Sequence, residues 1–258
     1  MNTICISNQK GGCGKTSLTH NVGCVIATLH EKKVLFVDVD GQANLTTVFG
    51  FNPDNVKSIS ELLTSKKKQT RDYIVKTSVP NVDLIPSNQH TFSAEKQLYE
   101  KTGREFVLSD ALEQVREAYD YIFIDTPPNL GIITLNSLIA SNSVILVYTA
   151  SEFSLDGLSQ ILNALDEIIK NKRLNINQTK ILGAIQNNYK STTRKVNAKL
   201  KDALAGVSDI PKYFSPISET TELEKSQFEH QPAYLYVPNH KISSDFKTFA
   251  KELIACLG

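Results

Sequence analysis

Two lysines, a hydroxyl and three carboxylates stand in this chain at spacings suited to handling a polyphosphate. Residues 9–16 read Gln9-Lys10-Gly11-Gly12-Cys13-Gly14-Lys15-Thr16. A loop of this kind turns backbone N–H groups toward phosphate oxygens, its final lysine reaches the outer phosphates, and its hydroxyl meets Mg²⁺. Gly11, Gly12, Cys13, Gly14, Lys15, Thr16 and Ser17 are therefore the expected nucleotide-binding residues. Gln9 stands where such a loop usually begins with glycine, and Lys10 is an additional lysine. If the loop wraps phosphate in the usual way, Lys10 sits at its mouth and points away from the pocket. Its expected target is then a nucleotide held by a second subunit, so one motif predicts both a nucleotide and a dimer.

Carboxylates recur at the ends of two apolar runs. Asp38 and Asp40 follow Val34–Val37, and Asp125 follows Tyr121–Ile124. Ligands of open α/β sheets bind beyond the carboxyl ends of the strands, which would turn all three toward the loop. Asp125 is expected to hold Mg²⁺ together with Thr16, Asp40 to orient an attacking water, and Asp38 to support the metal shell or Lys15. Phosphoryl transfer depends mostly on positioning and charge neutralisation, so Lys10, Lys15 and Asp40 form the expected catalytic set. Taken singly, each aspartate also reads as a helix N-cap or loop residue.

These groups need a strand before the loop and a helix after it. Thr3–Ser7 is a β-prone run, and Leu18, Val22, Val25, Ile26 and Leu29 recur at helical spacing. Further short apolar runs at 34–37, 82–85, 121–124, 144–147 and 181–185 suit strands buried on both faces. Helical candidates lie near 104–118, 132–140, 155–170, 193–204 and 243–256. The alternation predicts an α/β fold: a parallel, twisted sheet with helices on both faces, forming one domain over 1–258. Residues 50–80 are polar and lysine-rich, with weak periodicity.

Composition narrows the function classes. The chain has 258 residues, 41% of them hydrophobic and 21% charged, which suits a globule with a sizeable core. Its four cysteines make no C-x-x-C pair, as expected in a reducing cytosol. No signal-like segment precedes the loop, and no apolar run approaches the roughly 18 residues of a bilayer span. A net charge of +1 does not by itself point to nucleic acid.

Together, Asn8–Thr16, Val37–Thr46 and Tyr121–Pro128 identify a resemblance to the ParA/MinD group of deviant Walker P-loop ATPases, most closely the ParA-type partition proteins. The resemblance spans nearly the whole chain. It implies ATP and Mg²⁺ as cofactors and an ATP-dependent homodimer in which Lys10 reaches the partner's nucleotide. It implies slow hydrolysis through Asp40, binding of non-specific DNA in the ATP state, and release stimulated by a centromere-binding adaptor of the ParB type. A cytoplasmic, nucleoid-associated protein would follow. The second motif departs from the group's usual Asp-x-Asp-Pro-Gln, since Gly41 replaces the proline and adds backbone freedom. Slower or more partner-dependent hydrolysis is the expectation. Cys13 stands where relatives often carry a larger apolar residue, and a thiol beside a helix start and a lysine is either reactive or passively packed.

Two further assignments are made by position. Lys190, Arg194, Lys195, Lys199 and Lys201 occur in an acid-free stretch and are the expected DNA contacts, with Lys66, Lys67, Lys68 and Arg71 as a second cluster. The plain alternative is a solvated helix face and a lysine-rich loop. Related proteins commonly carry a basic residue after the following proline, whereas Pro216-Ile217-Ser218-Glu219-Thr220-Thr221-Glu222 is acidic here. Asn187 and Pro216 are the expected adenine contacts. Three other readings stay open: a MinD-like ATPase working on a membrane or protein surface, a metabolic P-loop enzyme, and an ATP-binding switch without turnover. The chain starts directly in its first strand, so no N-terminal helix-turn-helix domain is expected, and the final helix stops at Leu257-Gly258, so no basic amphipathic membrane tail is expected.

Overall fold

A computed structural model describes residues 2–65, 69–150, 162–164, 166–167, 179–190 and 210–258. Among these, the strands are β1 (Asn2–Ser7), β2 (Val34–Asp38), β3 (Val75–Lys76), β4 (Val82–Ile85), β5 (Tyr121–Asp125), β6 (Ser143–Tyr148), β7 (Lys180–Gln186) and β8 (Tyr213–Phe214). They form one sheet in the order β3-β4-β2-β5-β1-β6-β7-β8. Every pairing is parallel except the short edge pairing of β3 with β4. The expected α/β architecture is therefore present, with an antiparallel edge inside the weakly periodic 50–80 stretch.

The apolar runs become central strands because both of their faces are covered. On β2, Val34 and Phe36 enter one core while Leu35 and Val37 enter the other; Tyr121 and Phe123 alternate with Ile122 and Ile124 in the same way on β5. The first core is roofed by α1 (Lys15–Leu29), the short α2 (Asn44–Val48) and the long final helix (Lys241–Leu257), which buries Ile242, Phe246, Phe249, Ala250 and Leu253. Phe36 and Phe123 are both fully buried there, with ring centroids 5.8 Å apart, and each such side chain contributes roughly 2 kcal/mol of burial. The opposite face is covered by α3 (Ile59–Thr64), α4 (Thr91–Leu98), α5 (Val107–Glu113) and α6 (Ile132–Ala140).

The helix expected over 104–118 is shorter, because 3₁₀ turns at Arg104–Phe106 and Arg116–Ala118 flank α5. The helix expected at 132–140 forms with those bounds. Residues 162–164 and 166–167 are helical within the 155–170 expectation; the remainder of that range and the 193–204 candidate lie outside the described residues. The outcome that matters for chemistry is the register. β2 and β5 are adjacent, and Asp38 pairs directly with Asp125 at their carboxyl ends, beside the loop that leaves β1.

Candidate nucleotide-binding site

The loop between β1 and α1 is held at both ends by asparagine amides. At its start, Asn8 Oδ1 accepts from the Lys10 backbone N–H at 2.7 Å, and Asn8 Nδ2 donates to the Val147 carbonyl of β6. At its end, Asn187, just beyond β7, donates from Nδ2 to the Cys13 carbonyl at 2.9 Å. Gly14 caps α1 in the left-handed region, at φ 86°, where a side chain would be strained and its Cβ would overlap the Asn187 amide. Glycine is thus required there by both conformation and space.

Lys15 and Thr16 open α1 and face inward. Lys15 is buried, and its Nζ donates to the Lys10 carbonyl at 3.3 Å. Thr16 Oγ1 donates to Asp125 Oδ2 at 2.7 Å. The other Asp125 oxygen, Oδ1, is buried without a hydrogen-bond partner among the described residues. Burial pushes the Asp125 carboxyl up from its usual range, against the opposing pull of Thr16 and Lys15. A buried, half-satisfied carboxylate beside a threonine hydroxyl is an oxygen donor set of the kind Mg²⁺ takes, since that ion is bound by one or two protein oxygens together with substrate phosphates. The residues present therefore fit the ion. Among the described residues no cluster of three or more His, Cys, Asp or Glu side chains could hold a metal.

Asp38 has a different setting from the one expected. Its Oδ2 accepts from both the backbone N–H and the hydroxyl of Thr46, at 2.9 and 2.8 Å, and its Oδ1 accepts from the Asp40 N–H at 3.1 Å. Both oxygens accept from the segment carrying Asp40, so Asp38 anchors that segment. Burial, and then the neighbouring Asp125, push its carboxyl up. Asp40 lies at the opening of the following turn, where its Oδ1 accepts from the Gln42 N–H at 2.9 Å.

The segment after β8 runs beside the end of β7, with the Ile217 N–H donating to the Gln186 carbonyl at 2.9 Å. Pro216 and Asn187 are thereby brought to one side of the loop. Asn187 is almost fully buried, and one N–H of its amide is engaged with the Cys13 carbonyl. Cys13 is buried, and burial pushes its thiol up, which favours passive packing over reactivity. Gln227 was not anticipated from the sequence: its Nε2 donates to Ser17 Oγ at 2.7 Å from the helix Glu222–Phe228. An isolated glutamine in a polar helix carries no local signal of such a contact.

Of the expected DNA contacts, Lys190 pairs with Glu219 at 2.7 Å, with both side chains about half exposed. The acidic residue noted after Pro216 thus lies against Lys190, the first lysine of the basic stretch. Arg194, Lys195, Lys199 and Lys201, with Lys66, Lys67 and Lys68, lie outside the described residues, and Arg71 is exposed. No helix among the described residues is long and apolar enough to cross a membrane. The final helix also commits its apolar face to the core, so that face is not available to grip lipid.

A protein-family model described as "AAA domain" matches residues 1–181. The chain is 32% identical over 258 residues to the sporulation initiation inhibitor protein Soj of Bacillus subtilis, covering 98% of each chain. It is 36% identical over 163 residues to the chromosome partitioning protein ParA of Myxococcus xanthus, covering 63% of this chain and 57% of that protein. Among solved structures, it is similar to a cobyrinic acid a,c-diamide synthase from Mycobacterium smegmatis with bound ADP and magnesium, at a TM-score of 0.83 and 28% identity, covering 98% of this chain and 94% of the other. The septum site-determining protein MinD of Pyrococcus horikoshii, complexed with Mg-ADP, gives a TM-score of 0.81 at 26% identity, covering 100% and 97%.

Proposed function

Because the chain belongs to the AAA domain family, and within it to the ParA/MinD type of P-loop ATPase, we propose that it is an ATP-dependent dimerising switch for plasmid or chromosome partition. Its cofactors are ATP and Mg²⁺. In this reading the ATP-bound homodimer binds DNA without sequence preference, in the cytoplasm and on the nucleoid. An adaptor of the ParB type stimulates slow hydrolysis and releases it. The observation that carries the reading is the Thr16–Asp125 pair at 2.7 Å, with Asp40 two residues beyond Asp38, the strand partner of Asp125, and Lys10 on the loop that leads to Thr16.

Each residue has a defined task. Backbone N–H groups of Gly11–Thr16 bind the phosphates, and Lys15 neutralises charge on the outer ones. Thr16 and Asp125 hold Mg²⁺, which supplies further neutralisation of the phosphate oxygens when bound. Asp38 holds the Asp40 turn through Thr46, and Asp40 orients the attacking water. As the water oxygen bonds to the γ-phosphorus, the bond to the ADP oxygen breaks and Lys10 of the second subunit meets the charge spread over the transferring group.

The test is binding of the purified protein to random-sequence duplex DNA across a salt series, with ATP, with ADP and without nucleotide. ATP-selective binding that weakens steeply with salt is the expected result. Absence of DNA binding in all three states, with ATP turnover retained, would overturn the DNA matrix. The Lys190–Glu219 pair favours a second reading for that case, a positioning ATPase working on a protein surface. An Asp40→Ala control separates either reading from an ATP-binding switch without turnover, because only an enzyme loses phosphate release in that variant.

A further inference from the structure

Helix α4 touches both loops that carry the carboxylates of the site. On its exposed side, the Phe92 ring lies over Gly41, the residue after Asp40. A methyl group at Gly41 would come within 2.7 Å of ring carbons Cε2 and Cζ. Three residues further along, and so on the same face of the helix, Glu95 reaches Gly131, the N-cap of α6 in the loop that follows Asp125. A Cβ there would overlap Glu95 Oε1. α6 has no acidic residue in its first turn and no side-chain cap, so the Glu95 carboxylate supplies negative charge at that helix start.

A third tie runs through the interior. Asp38 accepts from Thr46, the Ser87 N–H donates to Thr46 Oγ1 at 2.8 Å, and the Ser87 and Thr91 hydroxyls share a hydrogen bond of 2.9 Å. Thr91 is the first residue of α4. The helix is therefore tied to Asp38 by a buried polar chain and to the Asp40 turn by an aromatic cover. The Asp40 turn needs such support, because Ala43 adopts a left-handed conformation at φ 53°, which persists in a non-glycine residue only when the surroundings impose it.

We propose that α4 is the positioning element of the hydrolytic site, with Phe92 holding the Asp40–Ala43 turn and Glu95 holding the loop after Asp125. This rests on the ATPase reading above. Neither residue belongs to the catalytic set; both act through the backbone they cover. A shift of either loop is thereby transmitted to α4, whose Lys96 and Gln97 are exposed, as are Tyr99 and Glu100 just beyond its end.

The test compares steady-state ATP hydrolysis by the full chain and its Phe92→Ala, Phe92→Leu, Gly41→Ala and Gly41→Ala/Phe92→Ala variants. Phe92→Ala is expected to lower kcat about tenfold with KM for ATP changed less than about twofold, and Phe92→Leu to restore most of the rate. Gly41→Ala should be slow because its methyl displaces the ring. The double variant should be no slower than Gly41→Ala alone, since the methyl occupies the space the ring leaves. An unchanged kcat in Phe92→Ala, or losses that multiply in the double variant, would overturn the proposal. Hydrogen exchange keeps it decidable if the wild type proves to have no turnover, an outcome that would defeat the ATPase reading instead. Amides of residues 41–46 should exchange at least about fivefold faster in Phe92→Ala, and those of 130–134 faster in Glu95→Ala, with β1 unaffected. Equal exchange at 41–46 in the wild type and Phe92→Ala would reject the positioning role.

Discussion

The Asn187 amide donates to the Cys13 carbonyl at 2.9 Å, joining the end of β7 to the phosphate loop across 174 positions of sequence. Removing the amide leaves a buried carbonyl unpaired, so Asn187→Ala is expected to destabilise the protein by about 1–3 kcal/mol. It also separates two roles. If Asn187 only shapes the loop, ATP and GTP binding weaken by the same factor; if it also contacts adenine, the preference for ATP over GTP falls. Titration with both nucleotides at equal Mg²⁺ measures this directly.

Lys10 is expected to serve the second subunit more than its own nucleotide. Lys10→Ala should weaken ATP binding by no more than about threefold while reducing ATP-dependent dimerisation by tenfold or more, since a charge-assisted contact to phosphate made only across the interface is lost. Light scattering during size-exclusion chromatography, with ATP and Mg²⁺ present, reads the second quantity. A full-strength dimer would remove Lys10 from the interface.

Glu219 faces Lys190 at 2.7 Å, and an acid at that place opposes contact with a phosphate backbone. Glu219→Lys is expected to raise affinity for random duplex DNA in the ATP state and to steepen its salt dependence by about one to two phosphate contacts. Lys190→Ala should change binding much less in the wild type than in the Glu219→Lys background. Fluorescence anisotropy across a salt series provides the slope, and identical slopes would separate this edge from the DNA site.

Stability is expected to carry two opposing pH dependences. His20 is fully buried on α1 against Phe49, with ring centroids 4.8 Å apart, and neither ring nitrogen has a partner among the described residues. Burial pushes its pKa down to about 3, so the unfolded chain binds the proton first as pH falls below its ordinary value of 6.5. The stability this contributes is present above that value and is reduced by about 2 kcal/mol near pH 5. Asp38 and Asp125 are pushed upward and act in the opposite sense, favouring the folded state at low pH and losing that contribution as pH rises through their raised pKa values. The difference between His20→Leu and wild type therefore isolates the histidine. In denaturant titrations, the variant's advantage should grow as pH falls from about 7 to 5, and a constant difference would assign the effect elsewhere.

Local chemistry was legible in the sequence because local backbone geometry creates it. Gly14, Lys15 and Thr16 work at fixed spacing between a strand and a helix, and four apolar residues before Asp125 suffice to place it at a strand end. The parallel sheet was legible for the same reason: runs apolar on both faces admit few other positions. The 104–118 helix was overdrawn because apolar spacing does not reveal where 3₁₀ turns tighten a helix end.

The sequence alone thus determined the nucleotide loop, its two lysines, the strand-end carboxylates and the fold class, all of which depend on spacing within one strand-loop-helix unit or on an apolar period. Only the tertiary structure decided which carboxylate oxygen stays open, which asparagine locks the loop, and which ring covers Gly41. Those relationships arise where sheet order brings distant strand ends together. Asp38 meets Asp125 because β2 and β5 are neighbours, and Phe92 meets Gly41 because β4 delivers α4 beside the end of β2.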